Sequence, residues 1–344
     1  MKLYVTGATG FVGSQVVAAA RARGHDVVAV VRPARPVPAL DDGVEPARVD
    51  LRSRRGVAES LAGVDAVIHL AAAKAGDFAT QFAGTVVATE NLLTAMDEAG
   101  ATRLVGVSTF SVYDYRGIEP GTVLDEDSPI DRSPALRDEY ARTKLVQEQL
   151  YRDFGDGDGR RCVIVRPGMI YGPGNLWHDL LGAGLGPRYL RIGSRATLPI
   201  TYVENCADAI VLAAERLADP TSTVDGEVIN VVDDDLPTQE RYAQAVAART
   251  EVPRTIKLPW PVVRTVADVL ALANRRLLGG RAKFPGIAVP DRLDARFKPL
   301  RYTNRKAKDL LGWEPRFDLD EAIERSLAAE RAGSLAGSPA EHGR

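Results

Sequence analysis

Val5-Thr6-Gly7-Ala8-Thr9-Gly10-Phe11-Val12-Gly13 follows an apolar run, Leu3-Tyr4-Val5, and opens a helical pattern over Gly13–Arg23. A glycine spacing alone is weak evidence. Set between a strand and a helix, it has the form of a phosphate-binding turn. Gly7 permits the tight turn, Gly10 lets backbone amides approach a pyrophosphate, and Gly13 lets the helix pack close to the sheet. The helix N-terminus then favours the phosphate charge. Thr9, Phe11 and Val12 complete the loop.

Outward from this loop, apolar runs alternate with helical patterns. Leu3–Thr6, Val27–Val31, Ala66–Leu70, Leu104–Val107, Val163–Val165 and Val228–Val232 read as buried strands. Gly13–Arg23, Gly84–Ala99, Arg137–Phe154 and Val203–Ala218 read as helices. This alternation predicts an α/β fold: a Rossmann-type, doubly wound parallel sheet, with ligands beyond the carboxyl ends of its strands. Residues 1–165, completed by 202–232, are expected to form the dinucleotide-binding domain. Two Gly/Pro-rich stretches interrupt the alternation, and 168–199 with 233–330 are expected to build a smaller substrate-binding region. Residues 333–344, rich in Gly, Ser and Pro, read as a disordered tail.

Composition excludes several classes. The 344 residues carry 44 Lys+Arg against 46 Asp+Glu, so no basic excess points to nucleic acid. Two cysteines, Cys162 and Cys206, cannot make a disulfide scaffold and read as reduced thiols. No signal-peptide pattern and no window of about 20 apolar residues is found, so a cytoplasmic protein without a membrane span is expected. No metal ligands are nominated.

The second strand ends Val30-Val31-Arg32, with Arg35 close by. NAD-selective sites place an acidic residue near here, whereas a guanidinium suits a ribose 2′-phosphate. Arg32 and Arg35 therefore favour NADP, with NAD the alternative. Downstream, Tyr140 and Lys144 stand at i and i+4, on one helical face. A free tyrosine has a pKa of about 10, and a nearby ammonium and a nicotinamide cation are expected to lower it. Tyr140 could then exchange a proton with an alcohol or ketone oxygen as hydride moves, while Lys144 also holds the nicotinamide ribose.

The ordered motifs name a family. They are the glycine loop, Asp50-Leu51, His69-Leu70-Ala71-Ala72-Ala73, Val107-Ser108-Thr109, Val112-Tyr113, Tyr140 with Lys144, and Arg166-Pro167-Gly168 leading to Tyr171-Gly172-Pro173-Gly174. Leu311-Gly312-Trp313-Glu314-Pro315 closes the series. Over roughly residues 1 to 330 the chain resembles the extended short-chain dehydrogenases/reductases, which include NAD-dependent epimerases, dehydratases and 3β-hydroxysteroid dehydrogenases. The resemblance implies that Asp50, beside Leu51, caps the adenine amino group. It also implies that Leu70, Ala71, Ala72 and Ala73 lie along the cofactor, with Lys74 reaching its phosphates or ribose and Pro167 and Ile170 lining its site. Thr109 is then the hydroxyl that orients the substrate oxygen, with Ser108 and Ser111 as nearby alternatives. Thr85 stands where the family often has an asparagine.

Nucleotide-sugar epimerases of the family tend to have an asparagine where Met169 stands, and an Arg-Asp-aromatic element where this chain reads Thr201-Tyr202-Val203. Both departures favour a secondary alcohol or ketone of a small or apolar substrate over a nucleotide sugar. Arg188, Arg191 and Arg195 could still bind phosphate, or form a solvated basic loop. Val262, Val263, Val266, Val269, Leu270 and Ala273 recur at helical spacing; they suit an apolar ligand, but the core of the smaller region is the favoured expectation. The resemblance also implies a homodimer, with Leu92, Leu93, Met96, Leu145, Leu150 and Tyr151 offering an apolar face.

Overall fold

The structure is a computed structural model and describes residues 1–36, 42–132, 134, 137–177, 181–185, 188–277, 279, 281–282 and 284–335. Seven strands form one parallel sheet: β1 (Lys2–Thr6), β2 (Asp26–Val31), β3 (Val44–Arg48), β4 (Ala66–His69), β5 (Arg103–Val107), β6 (Arg161–Pro167) and β7 (Val228–Val231). Their order is β7-β6-β5-β4-β1-β2-β3, which reverses direction at β1. The turn after β1 therefore opens at the sheet's switch point, where a crevice forms.

Strand alternation divides the core in two. Leu3, Val5, Val27, Ala29, Ile68, Val105, Val163 and Val165 face helices α1 (Phe11–Ala22) and α4 (Val203–Ala218). Tyr4, Val28, Val30, Val67, Leu104 and Ile164 face helices α2 (Ala88–Ala99) and α3 (Glu139–Gly155). Both faces are apolar, so the strands read as continuous hydrophobic runs. Trp313, from the Leu-Gly-Trp motif, is buried against α4 and donates to the Asn205 carbonyl at 3.0 Å. Cys162 and Cys206 are free and buried.

β3 went unread in the sequence. It is an edge strand with one buried residue, Ala47, and Pro46 inside it. Proline is tolerated at an edge, and exposed side chains leave little hydrophobic signal. The predicted helix over Gly84–Ala99 begins as a π-helical turn, Ala83–Val87, before α2. A Cβ on Gly84 would meet the Ala73 methyl at 2.9 Å, so the two backbones are closely apposed there.

Outside the large sheet, Met169–Tyr171 pairs with Ile200–Tyr202. Arg188–Ile192 pairs with Ala183–Leu185 and with Thr255–Leu258. Val123–Leu124 pairs with Arg301–Tyr302. The final helix, Leu319–Leu335, runs into the segment read as a tail, so 333–335 are helical; residues 336–344 lie outside the described residues. Among the described residues no helix is long and apolar enough to cross a membrane.

Candidate active site

The glycine loop has the geometry its spacing demands. Gly7 sits at φ +68°, and a Cβ there would press on the Leu70–Ala71 backbone at 3.2 Å. A Cβ on Gly13 would lie 2.0 Å from the Gly7 carbonyl oxygen, so only glycine fits. Gly10 caps α1 with no side-chain cap, and the first turn holds no acidic residue. That leaves a positive helix end open to solvent beside exposed Thr9 and Phe11, with Val12 half-buried behind them. These features fit a dinucleotide pyrophosphate.

Thr6 ties the loop to the end of β4. Its Oγ1 accepts from the backbone N–H groups of Leu70 and Ala71, both at 3.1 Å, and lies 2.6 Å from His69 Nδ1. The Ala73 N–H donates to Thr85 Oγ1 at 3.0 Å. Thr85, at the position of the expected asparagine, thus holds the loop Ala71–Ala73 in place.

The ribose side is more heavily charged than expected. Asp50 is half-buried and caps no helix; its carboxylate forms a bidentate pair with Arg52 at 2.6–3.1 Å. The Arg52 hydrogen bonds hold its pKa below the usual range, and the charge of Arg32 adds to this. Arg32 and Arg35 are exposed at the end of β2. The Leu51 carbonyl accepts from Asn91 Nδ2 at 2.8 Å.

The expected catalytic residues converge near the carboxyl end of β5. Asp138 caps α3 by accepting from the Ala141 N–H at 2.8 Å, which starts the helix just before Tyr140. Tyr140 is half-buried, and its hydroxyl and the Thr109 side chain line the same cavity. Burial pushes its pKa up to about 12, only partly opposed by the nearby Thr109 side chain. Burial thus raises the phenol where an ammonium was expected to lower it, and the Lys144 ammonium makes its own hydrogen bonds elsewhere. Lys144 is buried and donates to the Val107 carbonyl at 2.7 Å and to Gln147 Oε1. Burial lowers its pKa to about 7, with Lys74 adding to the shift and Glu148 opposing it.

Gln147 was missed by the sequence reading. It is fully buried, and its amide nitrogen donates to Thr89 Oγ1 at 2.8 Å and to the Ala71 carbonyl at 3.2 Å. Thr89 also lies 2.9 Å from His69 Nε2, and burial keeps His69 neutral with a pKa of about 3. A continuous chain of polar contacts therefore runs from Thr6 through His69, Thr89 and Gln147 to Lys144. One signal was available: Gln147 is seven residues after Tyr140, on the same helical face.

Ser108 is excluded as the substrate-facing hydroxyl. It is buried and donates to Glu148. Glu148 in turn pairs with Arg166 at 2.5 and 3.1 Å, and Arg166 donates to the Tyr113 hydroxyl at 3.0 Å. The Arg166 motif is thus a buried strut behind the site.

Thr109, Ser111 and Tyr140 line a cavity of about 470 Å³ with Lys74, Gly168 and Met169. Phe110, Ile192, Leu198, Phe297 and Tyr302 supply apolar walls, and Arg292 and Arg296 enter from helix Pro290–Phe297. Nothing in the sequence placed those two arginines in one cavity with Tyr140. Desolvation holds the Lys74 pKa below its usual value. Pro167 ends β6 and Ile170 lies in the short strand beyond it. Arg188, Arg191 and Arg195 do not line the cavity; Arg191 is buried, bonded to the Gln239 carbonyl at 2.9 Å and paired with Glu240 at 3.2 Å.

Residues 3–231 match the model of the NAD dependent epimerase/dehydratase family. The chain belongs to that family. It is 30% identical over 343 residues to the 2-alkyl-3-oxoalkanoate reductase of Stenotrophomonas maltophilia (strain K279a), covering 96% of this chain and 100% of that one. It is 27% identical over 288 residues to isoform 1 of the 3beta-hydroxysteroid-dehydrogenase/decarboxylase of Arabidopsis thaliana, covering 81% of this chain. The match spans 65% of that plant protein and 53% of its isoform 2. Among solved structures, the UDP-glucose-4-epimerase of Stenotrophomonas maltophila with bound NAD and formylated UDP-arabinopyranose superposes with a TM-score of 0.74 at 22% identity. That likeness covers 98% of this chain and 100% of the other, and speaks to the fold.

Proposed function

We propose that the protein is an NAD(P)-dependent oxidoreductase that exchanges hydride between the nicotinamide and a secondary alcohol or ketone. The observation that carries this reading is that Thr109 and Tyr140 line one cavity, with Lys144 one helical turn beyond Tyr140. The bound nicotinamide supplies or accepts the hydride. Tyr140 exchanges the proton with the substrate oxygen, and Thr109 orients that oxygen. A phenol held near 12 is a proton donor at neutral pH, which suits ketone reduction; a cationic cofactor beside it would favour the phenolate needed for oxidation. Lys144 holds the ribose hydroxyls, and the Gln147 bridge fixes its ammonium.

The preferred cofactor is NADP, on the strength of exposed Arg32 and Arg35 at the end of β2. The substrate class is a small or apolar ketone. The relative named for 2-alkyl-3-oxoalkanoate supports a 3-oxo acid, and Arg292 and Arg296 on the cavity wall suit a carboxylate. A homodimer there would have to use Arg142, Leu145 and Val146 of α3 with Phe78 of the short helix Phe78–Phe82, because Leu92, Leu93, Met96 and Tyr151 are buried within the subunit and Leu150 packs against its core.

The alternative is a nucleotide-sugar epimerase or dehydratase that returns the hydride to its substrate. Met169 on the cavity wall argues against it, since a thioether cannot hold a diphosphate. The separating experiment offers NADPH with a panel of 3-oxo acids and steroid ketones, and separately a panel of nucleotide sugars. Stoichiometric loss of NADPH with a ketone supports the proposal. An epimerised or dehydrated sugar with no net cofactor change would replace it.

A further inference from the structure

Eight large apolar side chains are exposed among the described residues. Phe11, Phe78 and Val146 belong to elements already discussed. The other five all lie on one helix, Trp260–Leu277: Val262 at 56%, Val266 at 53%, Val269 at 60%, Leu272 at 44% and Leu277 at 80%. At about 100° per residue, Val262, Val266 and Val269 fall within an arc of roughly 60°. The opposite face buries Ala267 and sets Val263 against Ile192, Leu293 and Phe297. The helix is already anchored, and its outward stripe is apolar as well.

Charge is distributed to one end. Arg275 and Arg276 occupy the last turn and Arg281 follows it; all three are exposed, and none forms an ion pair among the described residues. The helix's one acidic residue, Asp268, is paired with Arg264. The size of the stripe limits what can cover it. Eighteen residues give a helix about 27 Å long, and a stripe about 10 Å wide offers roughly 300 Å². A stable dimer needs about 800 Å² from each partner. An apolar ribbon of this size with a basic end matches an interfacial helix at an anionic surface.

We propose that helix Trp260–Leu277 seats the protein on an anionic lipid bilayer. Val262, Val266, Val269 and Leu277 enter the headgroup–acyl boundary, and Arg275, Arg276 and Arg281 meet lipid phosphates. The helix packs on Pro290–Phe297, whose other side lines the catalytic cavity, so one helical layer separates bilayer from cavity. This placement stands independently of the redox reading.

The test is co-sedimentation of the full chain with phosphatidylcholine–phosphatidylglycerol vesicles and with phosphatidylcholine alone. Binding should be at least about tenfold tighter to the anionic vesicles and should weaken with salt, since three basic residues would meet the charged surface. The pair Val266→Asp with Val269→Asp should abolish binding without changing the melting temperature. Should that variant not fold, Arg275→Glu with Arg276→Glu carries the test through loss of the anionic preference alone. No co-sedimentation with anionic vesicles at millimolar lipid would overturn the proposal. So would a dimer in light scattering that the two aspartates convert to monomer.

Discussion

Helices α4 and Trp260–Leu277 are close in length, both rich in Val, Ala and Leu, and both amphipathic in sequence, yet the chain uses them in opposite ways. Helix α4 buries eleven residues, Val203 to Leu217, between the sheet and α1. Trp260–Leu277 buries Ala267 alone and turns its valines outward. Periodicity shows that a helix has two faces; it does not say what covers the apolar one. For α4 the cover is the strand pattern already legible in the sequence. Helix Trp260–Leu277 meets Ile192 and the short 290–297 helix, too few partners to cover it.

The largest expected difference follows directly. Ile210→Asp would bury a carboxylate among Val163, Val165 and Ala207 in the main core, at a cost of about 4 kcal/mol or more. Val266→Asp changes an exposed position and should stay within about 0.5 kcal/mol. Thermal unfolding of the two variants checks this; equal destabilisation would show that the outer stripe is covered.

A smaller effect separates the interior of the nucleotide half from its surface. Gln147→Ala removes the donor to Thr89 and the acceptor for Lys144, and should cost about 1–3 kcal/mol. Gln149→Ala, two residues on and exposed beside Asp153, should be nearly neutral. Denaturant titration of the pair would show whether the polar chain from Thr6 to Lys144 is structural.

The same chain gives a pH dependence. Lys144 is held near 7, so its ammonium is complete below that pH and is lost as the pH rises through it. Cofactor affinity of the wild type should therefore fall above pH 7, by at most about tenfold per unit for one proton. Lys144→Met should bind more weakly and show no such slope. A wild-type affinity flat from pH 6 to 9 would mean that Lys144 does not grip the cofactor.

The sequence carried the nucleotide half of the molecule well, for a physical reason. Gly7, Gly10 and Gly13 serve backbone requirements that no other residue meets, and two-sided burial leaves β1, β2, β4, β5 and β6 as apolar runs. Thr109, Tyr140 and Lys144 follow fixed spacings within one helix and one strand end. Besides the edge strand β3, two features of the site escaped. The direction of the Tyr140 shift comes from burial, and the Lys144 ammonium bonds to Gln147 and the Val107 carbonyl. Arg292 and Arg296 reach the cavity from more than 150 residues downstream of Tyr140, and no local pattern announces that meeting.

The central claim is that Tyr140 exchanges the proton that accompanies hydride. The most direct measurement compares wild type and Tyr140→Phe for ketone-dependent NADPH oxidation alongside NADPH affinity by fluorescence. Turnover should fall by about 10²–10⁴-fold while affinity changes less than about threefold, because the phenol carries the proton and little of the cofactor grip. Near-normal turnover in the phenylalanine variant would contradict the account.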